Sequence, residues 1–376
     1  MNRFSFFLAF NAFVIISLFV YYCFPKEWRT RRQTKYFLIA YHVIGVFSLE
    51  LTFLIYKDIP YPWLRTAGTI VSTFYYVPLM IMGILFAAGF VLRFFRKRYQ
   101  YSHPETKFLA KLPDAPRRAE ITAALAYLIT AAGFINMNSL HVTEYSVTSE
   151  KMNGKEPLDI CLIADTHAGA GNWDSLYEDL RTAVLTADPD VILIGGDIFD
   201  ETTGREDMKK ITEVFQSFDP KLGMYYTLGN HDDPESQELT QALIESGAVN
   251  IQERQTELTD GVILIGRNDD RQERASAEDL LSQSDPESVI LVLQHRPTEF
   301  KKLSELGTDL VMSGHTHGFN IPMIAAVYWR ADVISGIKSY GNMTAVVTSG
   351  VSGWGFHYKF PAKNEVVLIH LHGQES

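Results

Sequence analysis

The sequence contains very little cysteine, with only Cys23 and Cys161 among its 376 residues. Cys23 lies in an apolar segment, and Cys161 lies inside a run of residues typical of a buried strand. A disulfide framework and a zinc site built from cysteine thiolates are therefore both excluded. We expect the stability of the fold to come from the burial of apolar side chains.

Acidic residues are scarce in the first part of the chain. Up to residue 141 there are 16 Lys and Arg but only 6 Asp and Glu, a net charge of +10, whereas the remaining residues carry −20. The total of −10 combines two different regions in a chain that is too long for one ordinary domain. The acidic region lacks the basic surface that binds a nucleic-acid backbone, so we expect no nucleic-acid partner.

Four apolar segments in the basic region are long enough to cross a bilayer. They comprise residues 4–24, 36–56, 66–92 and 121–140. The first segment lacks the small-residue cleavage site of a signal peptide, and the fourth is rich in Ala and gives the weakest signal. We predict a transmembrane domain of four helices over residues 1–140, followed by a second domain over residues 141–376.

The loops between these segments differ sharply in basic residues. The first and third loops contain thirteen Lys and Arg, whereas the second contains only two. The positive-inside rule places the first and third loops in the cytoplasm. The sequence therefore predicts a multi-pass cell-membrane protein, with membrane lipids as partners and with the domain after Leu140 outside the cytoplasm.

The region after residue 141 alternates short apolar runs with helix-like segments, which is the pattern of an α/β domain. The run at 158–164 precedes a helical pattern at 173–186, and the run at 191–194 precedes one at 205–218. Further apolar runs after residue 262 supply more strands than one short sheet needs. We predict an α/β fold with two packed β-sheets flanked by helices, with ligand groups at the carboxyl ends of strands.

Polar side chains follow five apolar runs of this region, at the point where each predicted strand ends. Four of the runs are separated from the polar residues by Gly or Ala. The polar residues are Asp165 and His167, Asp197 and Asp200, Asn230 and His231, His295, and His315 and His317. Oxygen and imidazole ligands without thiolate suit Mn, Fe(II) or Zn, and two ions about 3.5–4 Å apart can hold both the attacking and the leaving oxygen of a phosphoryl group. The pattern therefore indicates a metal site.

The ordered motifs closely resemble those of the calcineurin-like metallophosphoesterase superfamily, over roughly residues 158 to 371. The resemblance implies two divalent metal ions, with Mn favoured over Fe or Zn. It implies that the first ion is held by Asp165, His167, Asp197 and His317. It implies that the second ion is held by Asp197, Asn230, His295 and His315, so that Asp197 bridges the two.

The same resemblance implies two catalytic residues. His231 matches the general acid that protonates the leaving-group oxygen, and Asp200 matches the carboxylate that orients it. An imidazole suits the task because its pKa lies near working pH. The nucleophile is expected to be hydroxide formed from metal-bound water. The expected activity is hydrolysis of a phosphomonoester, phosphodiester or pyrophosphate, with a lipid-linked or cell-envelope substrate because the anchor keeps the site near a membrane.

Two alternative functions stay open. The first is hydrolysis of the pyrophosphate of UDP-2,3-diacylglucosamine in lipid A synthesis, which requires access to a cytoplasmic substrate. The second is a membrane sensor or transport module in which the phosphoesterase domain is regulatory, although few intramembrane charges argue against transport.

The substrate pocket is the least predictable part of the site. Phe319-Asn320 and Gly353-Trp354-Gly355 stand where a Gly-Gln and an Arg-Gly-x-Gly pattern are commoner in the exported, membrane-associated bacterial branch of the superfamily. The apolar run at 321–329 is consistent both with ordinary core and with a surface for an acyl chain or bilayer. The substrate is therefore not identified by these segments.

Overall fold

The computed structural model describes residues 3–53, 58–59, 61–103, 114–169, 174–232, 236–318 and 330–374. The chain forms two compact units, Met1–Leu54 with Tyr61–Gly133, and Ile55–Pro60 with Phe134–Ser376. The domain division after residue 140 stays a prediction. Phe319, Asn320 and the apolar run at 321–329 lie outside the described residues.

The first unit is helical. Its helices are α1 (Arg3–Cys23), α2 (Lys26–Thr30), α3 (Arg32–Phe53) and α4 (Pro62–Ser102), and α5 (Ala115–Asn136) leads from it into the second unit. Helices α1 and α3 both pack against α4. α4 continues through Pro78, and its 41 residues span about 60 Å at the usual rise of an α-helix, which is longer than the hydrocarbon core of a bilayer.

Two helices, rather than the four predicted, meet the length and composition of a membrane span among the described residues. They are α4 and α5. Within α1, a shorter apolar helix is found at Phe13–Cys23. α3 begins with charged residues at Arg32 and Lys35, which reduce its apolar content, and the predicted end of this segment at residue 56 lies outside the described residues.

The second unit contains two six-stranded sheets. The strands of the first sheet are, in spatial order, β1 (Leu140–Thr148), β12 (Asn364–His372), β2 (Leu158–Ile163), β3 (Val191–Ile194), β4 (Met224–Tyr226) and β5 (Val249–Asn250). Those of the second sheet are β10 (Gly336–Tyr340), β11 (Met343–Val347), β9 (Leu310–Ser313), β8 (Val289–Gln294), β7 (Val262–Arg267) and β6 (Arg254–Thr259).

Helices cover the outer faces of both sheets. They are α6 (Asp174–Ala187), α7 (Arg205–Gln216), α8 (Gln237–Glu245), α9 (Ala277–Leu281) and α10 (Phe300–Glu305). One apolar core lies between the sheets and contains Leu162 and Leu193 from the first sheet with Leu264 and Leu291 from the second. A second core joins the first sheet to α6, α7 and α8, and a third joins the second sheet to α9 and α10. The predicted α/β fold with two packed sheets flanked by helices is confirmed.

The central strands explain why the polar motifs meet. Strands β2, β3 and β4 pair in parallel, as do β7, β8 and β9. Strands β3, β8 and β9 are buried at every residue, as expected for parallel strands covered on both faces. Because parallel strands end at the same edge of a sheet, the residues after β2, β3 and β4 are brought together, and so are those after β8 and β9.

Candidate metal centre

The loops after β2 and β3 run side by side beyond the ends of the strands. The amide of Asp165 donates to the carbonyl of Gly196 at 3.0 Å, and the amide of His167 donates to the carbonyl of Asp197 at 3.0 Å. The amide of Ala168 continues the series by donating to the carbonyl of Ile198 at 2.9 Å. These three backbone hydrogen bonds fix the positions of Asp165, His167 and Asp197 relative to one another.

Three of the predicted ligands form a first group, defined by Asp165, His167 and His317. Their ligand atoms all lie within 4.8 Å of one another, and all three side chains are buried. His317 Nε2 is 3.8 Å from Asp165 Oδ1. Carboxylate and imidazole groups at this spacing are the donors that a divalent transition-metal ion takes.

A second group is defined by Asp197, His295 and His315, whose ligand atoms also lie within 4.8 Å of one another. His295 Nε2 is 3.0 Å from Asp197 Oδ2, and His315 Nδ1 is 3.2 Å from His295 Nε2. The same Asp197 Oδ2 lies 3.7 Å from His167 Nε2 of the first group. Asp197 therefore stands between the groups, which is the position required of a bridging carboxylate.

Asn230 lies in the loop after β4, and the residue that follows it contacts Asp197 of the second group. The amide of the following residue, His231, donates to Asp197 Oδ1 at 2.7 Å. The side-chain oxygen Oδ1 of Asn230 is buried and has no hydrogen-bond partner among the described residues. Buried acceptors are almost always satisfied, so an orphaned Oδ1 at this position fits a metal ligand.

Five of the predicted ligands have backbone conformations in the left-handed region. They are Asp165 (φ 54°), His167 (φ 41°), Asp197 (φ 51°), His315 (φ 73°) and His317 (φ 53°). Non-glycine residues rarely adopt these angles, and such strain tends to cluster at functional sites. All five residues lie in the loops that directly follow β2, β3 and β9.

Two glycines leave room for the carboxylates. A Cβ atom at Gly229 would collide with the carboxylate of Asp197, and a Cβ atom at Gly314 would collide with that of Asp165. The small residues that precede Asn230 and His315 in the motifs are therefore required by close packing.

Backbone carbonyls orient two of the imidazoles. His295 Nδ1 donates to the carbonyl of Gly195 at 2.8 Å, and His317 Nδ1 donates to the carbonyl of Ser352 at 3.1 Å. A proton held on Nδ1 leaves the Nε2 lone pair directed into the site. This is the usual arrangement of metal-binding histidines.

Burial keeps three imidazoles neutral. It lowers the pKa of His317 to about 3 and that of His315 to about 2, and it places the pKa of His167 well below its ordinary value. Neutral imidazoles have a lone pair available for a metal ion. Burial also raises the pKa of Asp165 to about 7, and a bound cation would favour its charged form.

His295 and Asp197 form a charged pair. Burial acts to lower the pKa of His295, but the carboxylate of Asp197 outweighs it and raises this pKa to about 10. Burial acts to raise the pKa of Asp197, and the neighbouring His295 and His231 overcome it and hold the pKa well below its ordinary value. The proton on His295 thus supplies the positive charge that a metal ion would supply, and metal binding would release it.

The imidazole of His231 contacts Glu201, and this differs from the predicted partner. His231 Nδ1 donates to Glu201 Oε2 at 3.3 Å. The indole of Trp354 lies on the imidazole as well, with ring centroids 5.2 Å apart. Burial acts to lower the pKa of His231, but the carboxylates of Asp197 and Glu201 raise it to about 9. Both carboxylates therefore favour the protonated form of His231.

Asp200, the predicted orienting carboxylate of His231, faces a different histidine. Its Oδ1 accepts hydrogen bonds from the amide of Thr202 at 2.7 Å and from the Thr202 hydroxyl at 2.6 Å. Its Oδ2 lies 3.7 Å from His167 Nδ1. The turn after Asp200 holds this carboxylate toward the first group and leaves the next residue, Glu201, to reach His231.

Asp232 is a structural residue of the site that the sequence analysis missed. Its buried carboxylate accepts hydrogen bonds from the amides of Asp197 at 2.7 Å, Ile198 and Phe199 at 3.0 Å each, and Gly229 at 2.8 Å. It therefore ties the loop after β3 to the loop after β4. The available signal was its position directly after His231, in the same motif as two predicted site residues.

Comparisons with known proteins match the part of the chain that forms this centre. Residues 158–319 match the family described as calcineurin-like phosphoesterase. A protein of Campylobacter jejuni named as a metallophosphoesterase is 29% identical over 251 residues, 63% of this chain and 66% of that protein. A Helicobacter pylori protein named as a metallophosphoesterase is 27% identical over 222 residues, 57% of this chain and 60% of that protein.

A third relative is named as a membrane protein. The transmembrane protein with metallophosphoesterase domain of Danio rerio is 28% identical over 299 residues, 70% of this chain and 67% of that protein. The chain spans slightly less than two thirds of the Campylobacter and Helicobacter relatives that it matches. The family resemblance expected from the motifs is confirmed.

Proposed function

We propose that this chain, whose residues 158–319 match the calcineurin-like phosphoesterase family, is a metal-dependent phosphoesterase. One observation carries the proposal. Two groups of three ligand-type side chains lie at the ends of neighbouring strands, and the Asp197 carboxylate contacts a histidine of each group. This arrangement fits a centre for two divalent ions.

The ligands of each ion are proposed from the contacts and from the family motifs together. Asp165, His167, Asp197 and His317 would hold the first ion. Asp197, Asn230, His295 and His315 would hold the second. Such ions, when bound, polarise a phosphoryl oxygen and make water nucleophilic at neutral pH. We propose Mn, with Fe or Zn as alternatives; a donor set of oxygen and imidazole without thiolate suits all three.

The chain's own residues carry the remaining steps. His231 is protonated and donates its proton to the leaving-group oxygen, a role that suits an imidazole held beside carboxylates. Glu201 orients the imidazole through Nδ1 and keeps it charged. Asp200 faces His167 and supports the first group rather than the acid.

The proposed substrate is a phosphomonoester, phosphodiester or pyrophosphate that is lipid-linked or part of a cell envelope. Two helices long and apolar enough to span a membrane, and the Danio rerio relative named as a transmembrane protein, support anchoring near a lipid surface. The asymmetry of basic residues between the loops supports a site outside the cytoplasm. We propose a multi-pass membrane protein on these grounds.

A hydrolysis screen tests the function. The full chain in detergent, loaded with Mn²⁺, is assayed with nitrophenyl phosphate, bis-nitrophenyl phosphate, a nucleotide pyrophosphate and lipid phosphoesters. We expect hydrolysis of at least one class, lost on chelation and restored by Mn²⁺. The proposal would be contradicted if none of these esters were hydrolysed, or if activity persisted after complete removal of metal.

A further inference from the structure

Lys359 is a buried cation that the proposed chemistry does not use. Its side chain is fully buried, with an exposed fraction of 0%. The ammonium donates to the carbonyl oxygens of Ser349 at 2.5 Å, Gly350 at 2.8 Å and Ser352 at 2.9 Å. A lysine ammonium has three donors, so all three are satisfied by backbone carbonyls of one short loop.

The Lys359 ammonium is held by hydrogen bonds to carbonyl oxygens and not by an ion pair among the described residues. Among the described residues no carboxylate lies within 4 Å of it, so it does not serve as a partner in an ordinary ion pair. Burial lowers the pKa of Lys359 to about 7, against which the more distant carboxylates of Asp165 and Glu365 act. An apolar side chain of similar length would remove one hydrogen bond from each of these three buried carbonyls.

The loop that Lys359 holds, residues 349–352, lies directly against the first group. The amide of Val351 donates to the carbonyl of Ala164 at 2.9 Å, and the amide of Ser352 donates to that of Asp165 at 3.0 Å. Gly350 has φ 82°, and a Cβ atom there would come within 2.6 Å of the Cβ of Asp165. The loop and the end of β2 are therefore packed too closely to move independently.

The carbonyl of Ser352 connects Lys359 to a predicted ligand. It accepts the Lys359 ammonium on one side and His317 Nδ1, at 3.1 Å, on the other. The position of this one oxygen therefore sets the direction in which His317 Nε2 points. In the second group, the Nδ1 of His295 is held by the carbonyl of Gly195, which belongs to a different loop.

We propose that Lys359 is a positioning residue for the first metal ion: it fixes the 349–352 loop so that the carbonyl of Ser352 holds His317 in its ligating orientation. The inference rests on the proposed two-metal centre. It assigns a role in metal binding to a residue that is not a ligand. Among the described residues, the hydrogen bonds of the Lys359 ammonium all go to the loop that supports the first group, so we expect the larger effect on the first ion.

Metal binding by Lys359→Met tests the inference without any assay of hydrolysis. Lys363→Met is the matched control. It is the same substitution, made at an exposed lysine four residues away. The full chain in detergent is titrated with Mn²⁺ by calorimetry, and the bound ions are followed by electron paramagnetic resonance. Wild type and Lys363→Met should bind two ions with a magnetically coupled signal.

Lys359→Met should bind one ion at wild-type affinity and the other about 10–100-fold more weakly, the usual effect of losing a group that orients a ligand. Adding His317→Ala to Lys359→Met should weaken the first ion by less than His317→Ala does alone, because both changes act through one imidazole. This non-additive result separates a positioning role from a general loss of stability.

Each other outcome has a defined meaning. Two ions bound at wild-type affinity by Lys359→Met, or equal weakening of both ions, would overturn the inference alone. Wild-type protein that binds none of Mn²⁺, Fe²⁺ and Zn²⁺ would overturn the proposed function and the inference with it. If circular dichroism shows that Lys359→Met does not fold, Lys359→Gln takes its place; failure of both to fold would mean that Lys359 supports the whole domain, and the inference would be wrong.

Discussion

Single side chains in this protein differ in how far the sequence specifies them. Asp165, His167, His295, His315 and His317 follow apolar runs, and the fold brings them into two groups as the motifs predict. The partner of His231 was not predictable in the same way. Asp200 and Glu201 are neighbours, and the hydrogen bonds of Thr202 to Asp200 decide which of the two carboxylates faces His231.

The acid role assigned to His231 leads to a prediction that separates catalysis from metal binding. His231→Ala should lower turnover by roughly 10²–10⁴-fold, the usual contribution of general acid catalysis, and should leave the metal content unchanged. The loss should be smaller for nitrophenyl esters, whose leaving groups need little protonation. Rate measurements on esters with good and poor leaving groups check this, and equal losses on both would remove His231 from the acid role.

The contact between Glu201 and His231 predicts a change in pH dependence. The Glu201 carboxylate raises the pKa of His231, and the acid must be protonated to act, so activity falls as pH rises through that pKa. Glu201→Gln should therefore move the alkaline limb of kcat/KM to lower pH by roughly one unit.

Glu213→Gln is a suitable control for this profile, because Glu213 is an exposed residue of α7 that pairs with Lys209. It should leave the alkaline limb unchanged. An alkaline limb that stays at the wild-type pH in Glu201→Gln would show that another group orients and charges His231.

At the scale of elements, the apolar runs predict strands well but not their partners. The runs at 158–164, 191–194, 289–293 and 310–312 all become central strands. The sequence did not predict that β12, from the end of the chain, lies between β1 and β2. That placement depends on pairing between residues about 200 positions apart, parallel to β1 and antiparallel to β2. Local periodicity carries no information about such distant pairing.

The turn after β9 predicts an effect of a single methyl group. A Cβ atom at Gly314 would collide with the carboxylate of Asp165 and lie 2.7 Å from the Cβ of Ala164. Gly314→Ala should therefore lower the free energy of unfolding by about 1–3 kcal/mol, the usual cost of overpacking, and should weaken binding of the first ion. Urea unfolding and metal analysis measure the two effects.

Gly307→Ala gives the comparison for Gly314→Ala. A Cβ atom at Gly307 meets nothing within 4 Å, although its φ of 88° makes any side chain strained there. This variant should lose stability but keep wild-type metal affinity. Unchanged metal affinity in Gly314→Ala as well would show that the close approach to Asp165 does not matter for the ions.

At the scale of the whole molecule, the sequence separates a basic apolar region from an acidic α/β region, and the structure has a helical unit and a two-sheet unit. The number of membrane spans was less predictable. Length and hydropathy identified four segments, but only α4 and α5 meet the requirement among the described residues.

The side of the membrane on which the metal centre lies is a testable property of the whole chain. Thirteen basic residues in the first and third loops against two in the second predict an extracytoplasmic domain. Reporters that are active only inside or only outside the cytoplasm are fused after Gly154, which lies in a turn. We expect the external reporter to be active. A cytoplasmic signal would reverse the proposed location and make the nucleotide-linked lipid A precursor the leading substrate.

The central claim is that Asp197 joins two metal ions in one centre. Its carboxylate lies 3.0 Å from His295 and 3.7 Å from His167, so its loss should affect both ions. Metal analysis of Asp197→Asn beside wild-type protein, after equilibration with Mn²⁺, measures this most directly. We predict two ions per chain in wild type, weaker binding of both in the variant, and no hydrolysis by the variant. Two ions bound by Asp197→Asn at wild-type affinity would contradict the bridging role.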